Sequence, residues 1–199
     1  MIDRPPLNRL INNPTSGTVV WAIETLKKTL ASSNASPIDV ARALYLLIHF
    51  VGDLHQPLHA TTLFSDKFPT GDVGGNEYKI NYQNYKNLHA FWDSGANLWP
   101  DDPQRPLAPT AAQKLNSTAS ELMRKYPPST FGDRLKDYKV ENWAYESFAI
   151  ARDVAYKAPQ APSALPTDYI KSAQDACAAQ VALGGYRLAQ IIHDIFDCL

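Results

Sequence analysis

Residues 49–59 read His49-Phe-Val-Gly-Asp53-Leu-His55-Gln-Pro57-Leu-His59, and the same histidine-to-aspartate spacing returns in His89-Ala-Phe-Trp-Asp93. Apolar residues at Leu44, Leu47, Ile48 and Val51 lead into the first stretch with helical spacing, and Pro57 blocks its simple continuation. The reading is therefore a helix that ends just after Asp53. On such a helix, residues four apart share a face, with Cβ atoms roughly 5–6 Å apart. Each His/Asp pair can then aim an imidazole and a carboxylate at one point. A lone pair of this kind is ordinarily a surface hydrogen bond; two pairs with His59 beside them read as metal ligands. Nitrogen and oxygen donors without cysteine suit a catalytic zinc that keeps a place for water. Zinc lowers the pKa of bound water to about 7, and paired zincs roughly 3.5–4 Å apart can hold both oxygens of a phosphoester displacement. Such a pair needs a bridging carboxylate, and Asp53 is the candidate.

Working outward, Gly17 to Ala31 has helical apolar spacing through Val19, Val20, Ile23, Leu26 and Leu30. The next helix starts at Pro37, a favourable first position, with Ser36 placed to cap it. Between Leu63 and Asn84, the glycines and the alternation Tyr78, Ile80, Tyr82 predict a loop with a short strand or hairpin. Helical spacing resumes near Tyr85, carries His89 and Asp93, and stops before Pro100. Further helices are expected at about Thr110–Lys125, Val140–Tyr156 and Thr167–Phe196, which makes the fold mainly α and residues 1–199 one domain. Trp21, Tyr45, Trp92 and Trp143 sit among apolar neighbours and are expected in the core. If the last helix is continuous, Cys177 and Cys198 stand roughly 30 Å apart and cannot pair unless Gly184-Gly185 breaks it.

Nineteen Lys and Arg against twenty Asp and Glu leave a net charge of −1, so no overall basic field exists to hold a duplex by counterion release. Any nucleic-acid contact must be local. No apolar stretch approaches the roughly 20 residues of a membrane span. The start, Met1-Ile2-Asp3-Arg4-Pro5-Pro6, lacks the basic and apolar regions of a signal peptide. Asn34-Ala-Ser36 and Asn116-Ser-Thr118 fit the N-glycosylation pattern, which has meaning only in a secretory pathway.

The segments His49 to His59, Gly74-Gly75-Asn76 and Asn87-Leu-His89-Ala-Phe-Trp-Asp93-Ser94-Gly95 occur in order with Val19-Val20-Trp21-Ala22-Ile23 and Gly184-Gly185-Tyr186-Arg187-Leu188-Ala189. Together they resemble the zinc-dependent single-strand nucleases of the S-one/P-one type, which share a mostly helical superfamily with the zinc phospholipases C. The resemblance implies that His59, His89 and Asp93 hold one zinc, and that His49 and Asp53 belong to a neighbouring pair which Asp53 bridges. It also implies hydrolysis of single-stranded DNA and RNA to 5′-nucleotides, removal of 3′-phosphates from 3′-nucleotides, and a secreted or periplasmic setting. Ser94 would lie near the phosphate, and Asp3 would be a remnant of the nucleobase pocket.

The pattern departs from the family at the front. The N-terminal tryptophan, the histidine after it and a further Asp and His, all family zinc ligands, have no counterpart here. An N-terminally incomplete chain with about one zinc instead of three is the expectation. The alternatives are a phospholipase C, or an inactive zinc-binding fragment that needs a separate N-terminal segment as partner. His55, two residues after Asp53, reads as a structural hydrogen-bonding group, and His193 as a solvated residue near a helix end.

Overall fold

Two side-chain caps start the fold. In the computed structural model, which describes residues 16–99 and 103–196, the Thr18 hydroxyl accepts from the Trp21 N–H and opens α1 (Val19–Leu30). The Ser36 hydroxyl accepts from Asp39 N–H and donates to the Asp39 carboxylate, opening α2 (Pro37–Leu54) with Pro37 in its first turn. Four more helices follow: α3 (Leu88–Asp93), α4 (Pro109–Lys125), α5 (Val140–Asp153) and α6 (Thr167–Phe196). Asp3 and Cys198 lie outside the described residues.

α1 and α2 form a hairpin whose facing stripes are Ile23 and Leu30 on one side and Ala43, Leu47, Val51 and Leu54 on the other. Val140 and Trp143 of α5 and Ile191 of α6 close this core. Each large side chain buried there contributes on the order of 1.5–3 kcal/mol. A second core joins the 61–87 segment and α3 to α5 and α6. Its members include Leu58, Tyr78, Ile80, Leu88, Phe91 and Trp92, packed on the small residues Ala151, Ala155 and Ala173. α6 touches both cores and runs unbroken through Gly184-Gly185. Cys177 is a buried free thiol on it.

Several expectations need correction. Among the described residues no strand forms; the 61–87 segment contributes only isolated bridges, Ser65 with Phe68, Tyr82 with Tyr85, and Asn81 with Ala164. The period-two burial is real, since Tyr78 and Ile80 point inward. However, the neighbouring segment carries Pro159, Pro162 and Pro166, which have no N–H for a ladder. It is held instead by single contacts: Ala161 N–H to Lys79 O, Asn81 Nδ2 to Pro162 O, and Tyr78 hydroxyl to Ala158 O. α3 begins at Leu88 rather than near Tyr85, because the Asn87 side chain accepts from Ala90 N–H and starts the helix there. α5 stops at Asp153 and gives way to a 3-10 turn, Ala155–Lys157. Trp92 and Trp143 are buried, but Trp21 and Tyr45 are exposed, each two positions off the stripe of its helix. Ile48 is exposed for a similar reason, lying one residue past Leu47.

The end of α2 is pinned by His55, which is 4% exposed. Its Nδ1–H donates to Val51 O at 2.8 Å, leaving Nε2 to accept from Arg187 Nη1 at 3.0 Å. The ring is therefore neutral. Burial lowers its pKa to about 4, and the Arg187 charge acts in the same direction against the Val51 hydrogen bond. Because the folded value lies below the ordinary 6.5, the stabilising neutral form is fully present above pH 6.5. Its contribution is lost as pH falls toward 4, where the unfolded chain takes up a proton that the folded chain refuses. The difference amounts to about 3 kcal/mol. Urea unfolding of chelator-treated protein across this window should show a pH dependence steeper by about that amount than in His55→Gln. Parallel curves would remove His55 from the account.

Candidate metal centre

Two helix ends and one turn bring the predicted side chains together. His49 and Asp53 lie on the last turns of α2, with Nε2 and Oδ2 3.3 Å apart. His89 and Asp93 span the whole of α3 and repeat the arrangement at 3.4 Å. His59, on the 3-10 turn Pro57–Ala60, stands between them: its Nε2 is 3.4 Å from Asp93 Oδ1 and its Nδ1 is 3.7 Å from Asp53 Oδ1. The His59 and His89 rings stack at 4.9 Å. The five side chains thus run continuously from His49 through Asp53, His59 and Asp93 to His89.

These separations can be tested against a metal. Two donors on one tetrahedral zinc, each about 2.0–2.1 Å from it, stand roughly 3.3 Å apart. The contacts at 3.3–3.4 Å match that edge and are long for direct N–H···O hydrogen bonds. His59, His89 and Asp93 each offer a donor atom within 4.8 Å of the other two, and among the described residues they are the one such group of three. His49 and Asp53 make a pair beside it. The residues fit a cation held by two imidazoles and a carboxylate.

The surroundings orient these donors. His89 Nδ1–H donates to Gly74 O at 2.7 Å, so its Nε2 lone pair faces Asp93. Gly74 must be glycine: its φ is +61°, and a Cβ there would lie 2.6 Å from Leu58 O. That gives the Gly74-Gly75-Asn76 triplet its place, since the backbone has to approach the turn carrying His59. Gln56 was not singled out from sequence, yet its Nε2 donates to Asp93 Oδ1 at 2.7 Å while its Oε1 accepts from Leu58 N–H. Only its position inside the 49–59 motif pointed to it. The Asp93 carboxylate facing its Nε2 raises the His59 pKa against partial burial, with the Asp53 charge adding to it. Asp93 is lowered: burial pushes it up, but the facing His59 imidazole and the Gln56 hydrogen bond outweigh that. Both shifts trace chiefly to the His59 ring and the Asp93 carboxylate facing each other.

Ser94 follows Asp93, but its hydroxyl serves the turn, donating to Phe91 O and accepting from Asn97 N–H. His55 takes no part in the cluster, and His193 lies exposed on the last turn of α6. Asp53 and His59 stand on a ridge between two grooves. One, about 960 Å³, has a mostly apolar wall that includes Trp21, Leu26, Phe50 and Val73. The other, about 460 Å³, is bounded by Ile48, Trp99, Val181 and Leu188.

Residues 3–197 match the S1/P1 nuclease family, and the chain belongs to that family. It is 28% identical to nuclease P1 of Penicillium citrinum over 97% of this chain and 73% of that protein. Against endonuclease 2 of Arabidopsis thaliana it is 28% identical over 88% of this chain and 59% of the relative. Against endonuclease 5 of the same plant the identity is 30%, over 83% and 55%.

The Gln56 hydrogen bond yields a direct expectation. Gln56→Ala leaves Asp93 without its neutral donor, and zinc affinity measured by chelator competition should fall about 10–100-fold. Unchanged affinity would mean that Gln56 does not orient the carboxylate.

Proposed function

We propose that this member of the S1/P1 nuclease family is a zinc-dependent phosphodiesterase that cleaves single-stranded DNA and RNA to 5′-nucleotides and removes phosphate from 3′-nucleotides. The observation that carries the reading is the unbroken series of five imidazole and carboxylate side chains, with contacts of 3.3–3.7 Å, opening onto two grooves. The names of the relatives, nuclease and endonuclease, support the substrate class.

In this proposal His59, His89 and Asp93 hold one zinc, and His49 and Asp53 contribute to a neighbouring position. Bound zinc supplies a water activated near neutral pH and a Lewis acid for a phosphoryl oxygen. The chain's own part is positional. Gly74 O fixes the His89 tautomer, and Gln56 holds one oxygen of Asp93 while His89 faces the other. Asp53 lies between His49 and His59, where its carboxylate would serve as a metal ligand beside His49 and could accept a hydrogen bond from a water in the site. The adjoining grooves give a single strand room on both sides of the ridge, with apolar walls for its bases. Asp3 and Ser94 are proposed as substrate contacts. Residues 1–199 are proposed as one domain holding about one zinc, since one three-ligand group occurs among the described residues. A secreted or periplasmic setting accords with the family reading, and no described helix is long and apolar enough to cross a membrane.

The test is release of acid-soluble nucleotides from single-stranded DNA by zinc-loaded protein. Activity should vanish with chelator, return with added zinc, and drop in His59→Ala to the level of the chelated protein. Release of diacylglycerol from phospholipid without nucleotide release would move the assignment to a phospholipase. Silence on nucleic acid with zinc bound would leave a metal-binding domain without the proposed activity.

A further inference from the structure

Between Asp53 and His59 the chain turns a corner: α2 ends, and Leu54, His55 and Gln56 lead into the 3-10 turn. Three carbonyls at this corner are taken by side chains, two of them from other helices. Val51 O accepts from His55 Nδ1–H, Leu54 O from the Ser147 hydroxyl of α5 at 2.5 Å, and His55 O from Gln180 Nε2 of α6 at 3.3 Å. The His55 ring is fixed in turn by Arg187 Nη1. The Arg187 side chain is 1% exposed; its Nη2 donates to Glu146 at 2.9 Å and to Arg134 O at 2.9 Å, and its guanidinium lies 4.8 Å from the Trp143 ring centre. One turn earlier on the same helix, Gly184 sits so close that a Cβ would come within 3.1 Å of the His55 ring.

The ends of this corner carry two metal-centre side chains whose carboxylate and imidazole stand 3.7 Å apart. A drift of a few tenths of an ångström at His55 moves His59 relative to His89 and Asp93 on α3, whereas metal–ligand distances hold to about ±0.2 Å. We propose that Arg187 is a positioning residue for the metal centre, acting through His55 to fix the corner and so the place of His59 against His89 and Asp93. The inference rests on the metal reading given above. An arginine is suited to the task because its planar fork grips His55, Glu146 and a backbone carbonyl at once, which a lysine cannot do.

The test compares Arg187→Lys and Gly184→Ala with Ile191→Ala, which opens a cavity in the α1/α2 core one turn further along α6 and leaves the corner intact. Zinc affinity is read by chelator competition, and ligand geometry by the visible spectrum of the cobalt-substituted protein, both well below the unfolding temperature. Arg187→Lys should lose zinc affinity by at least about tenfold and shift the cobalt bands. Gly184→Ala, which keeps Arg187 but crowds the ring, should move both in the same direction by less. Ile191→Ala should lower the unfolding temperature and leave both unchanged. Wild-type affinity and spectrum in both corner variants would overturn the role, as would an equal loss in Ile191→Ala. Wild-type protein that binds no metal would overturn this role and the metal reading together, whereas normal binding with unaffected variants would overturn this role alone.

Discussion

Asp53 and Asp93 share one imidazole, His59, and the structure is arranged so that this sharing persists. Two carboxylates drawn toward one ring leave excess negative charge at a half-exposed site. An opposite charge within a few ångströms relieves it, which is the condition under which proteins hold cations. The rise at His59 and the fall at Asp93 both come from this imidazole and carboxylate facing each other. Three elements meet at this pair of contacts. α2 delivers Asp53, the short α3 delivers Asp93, and the 3-10 turn between them in sequence carries His59 to the meeting point.

The supports are of two physical kinds. Behind His89 and Asp93 they are local: a carbonyl that only a glycine backbone can bring near, and one glutamine amide. Behind Asp53 and His59 they are long-range, passing through His55 to a buried arginine on the final helix. α6 therefore does more than close both cores. A helix of small residues, with Ala173, Ala178, Ala182 and Gly184 inward, lets the α2 corner approach its backbone closely.

Much of this was legible in the sequence. Ser36-Pro37 and Pro57 marked the ends of α2 through capping and proline chemistry, and the four-residue spacing put the donors on common faces. The triplet Gly74-Gly75-Asn76 was visible as a motif, but its use was not, because a backbone carbonyl leaves no mark on residue identity. Gln56 escaped for a related reason: an amide beside a carboxylate is recognised by geometry alone. Alternation in Tyr78, Ile80 and Tyr82 indicated a short strand or hairpin; Tyr78 and Ile80 do point inward, yet a ladder also needs donors on the partner segment, and prolines removed them there. Trp21 and Tyr45 resemble core residues by type and lie beside apolar stripes; the stripe's phase, not composition, leaves them exposed.

The central claim is that His59, His89 and Asp93 hold one zinc. Zinc per purified chain, measured by elemental mass spectrometry after dialysis against metal-free buffer, tests it most directly. The account predicts about one zinc per chain, and close to none in His89→Ala, because removing one of three protein ligands dismantles the site. A content near zero in the wild type, or one that His89→Ala leaves unchanged, would contradict it.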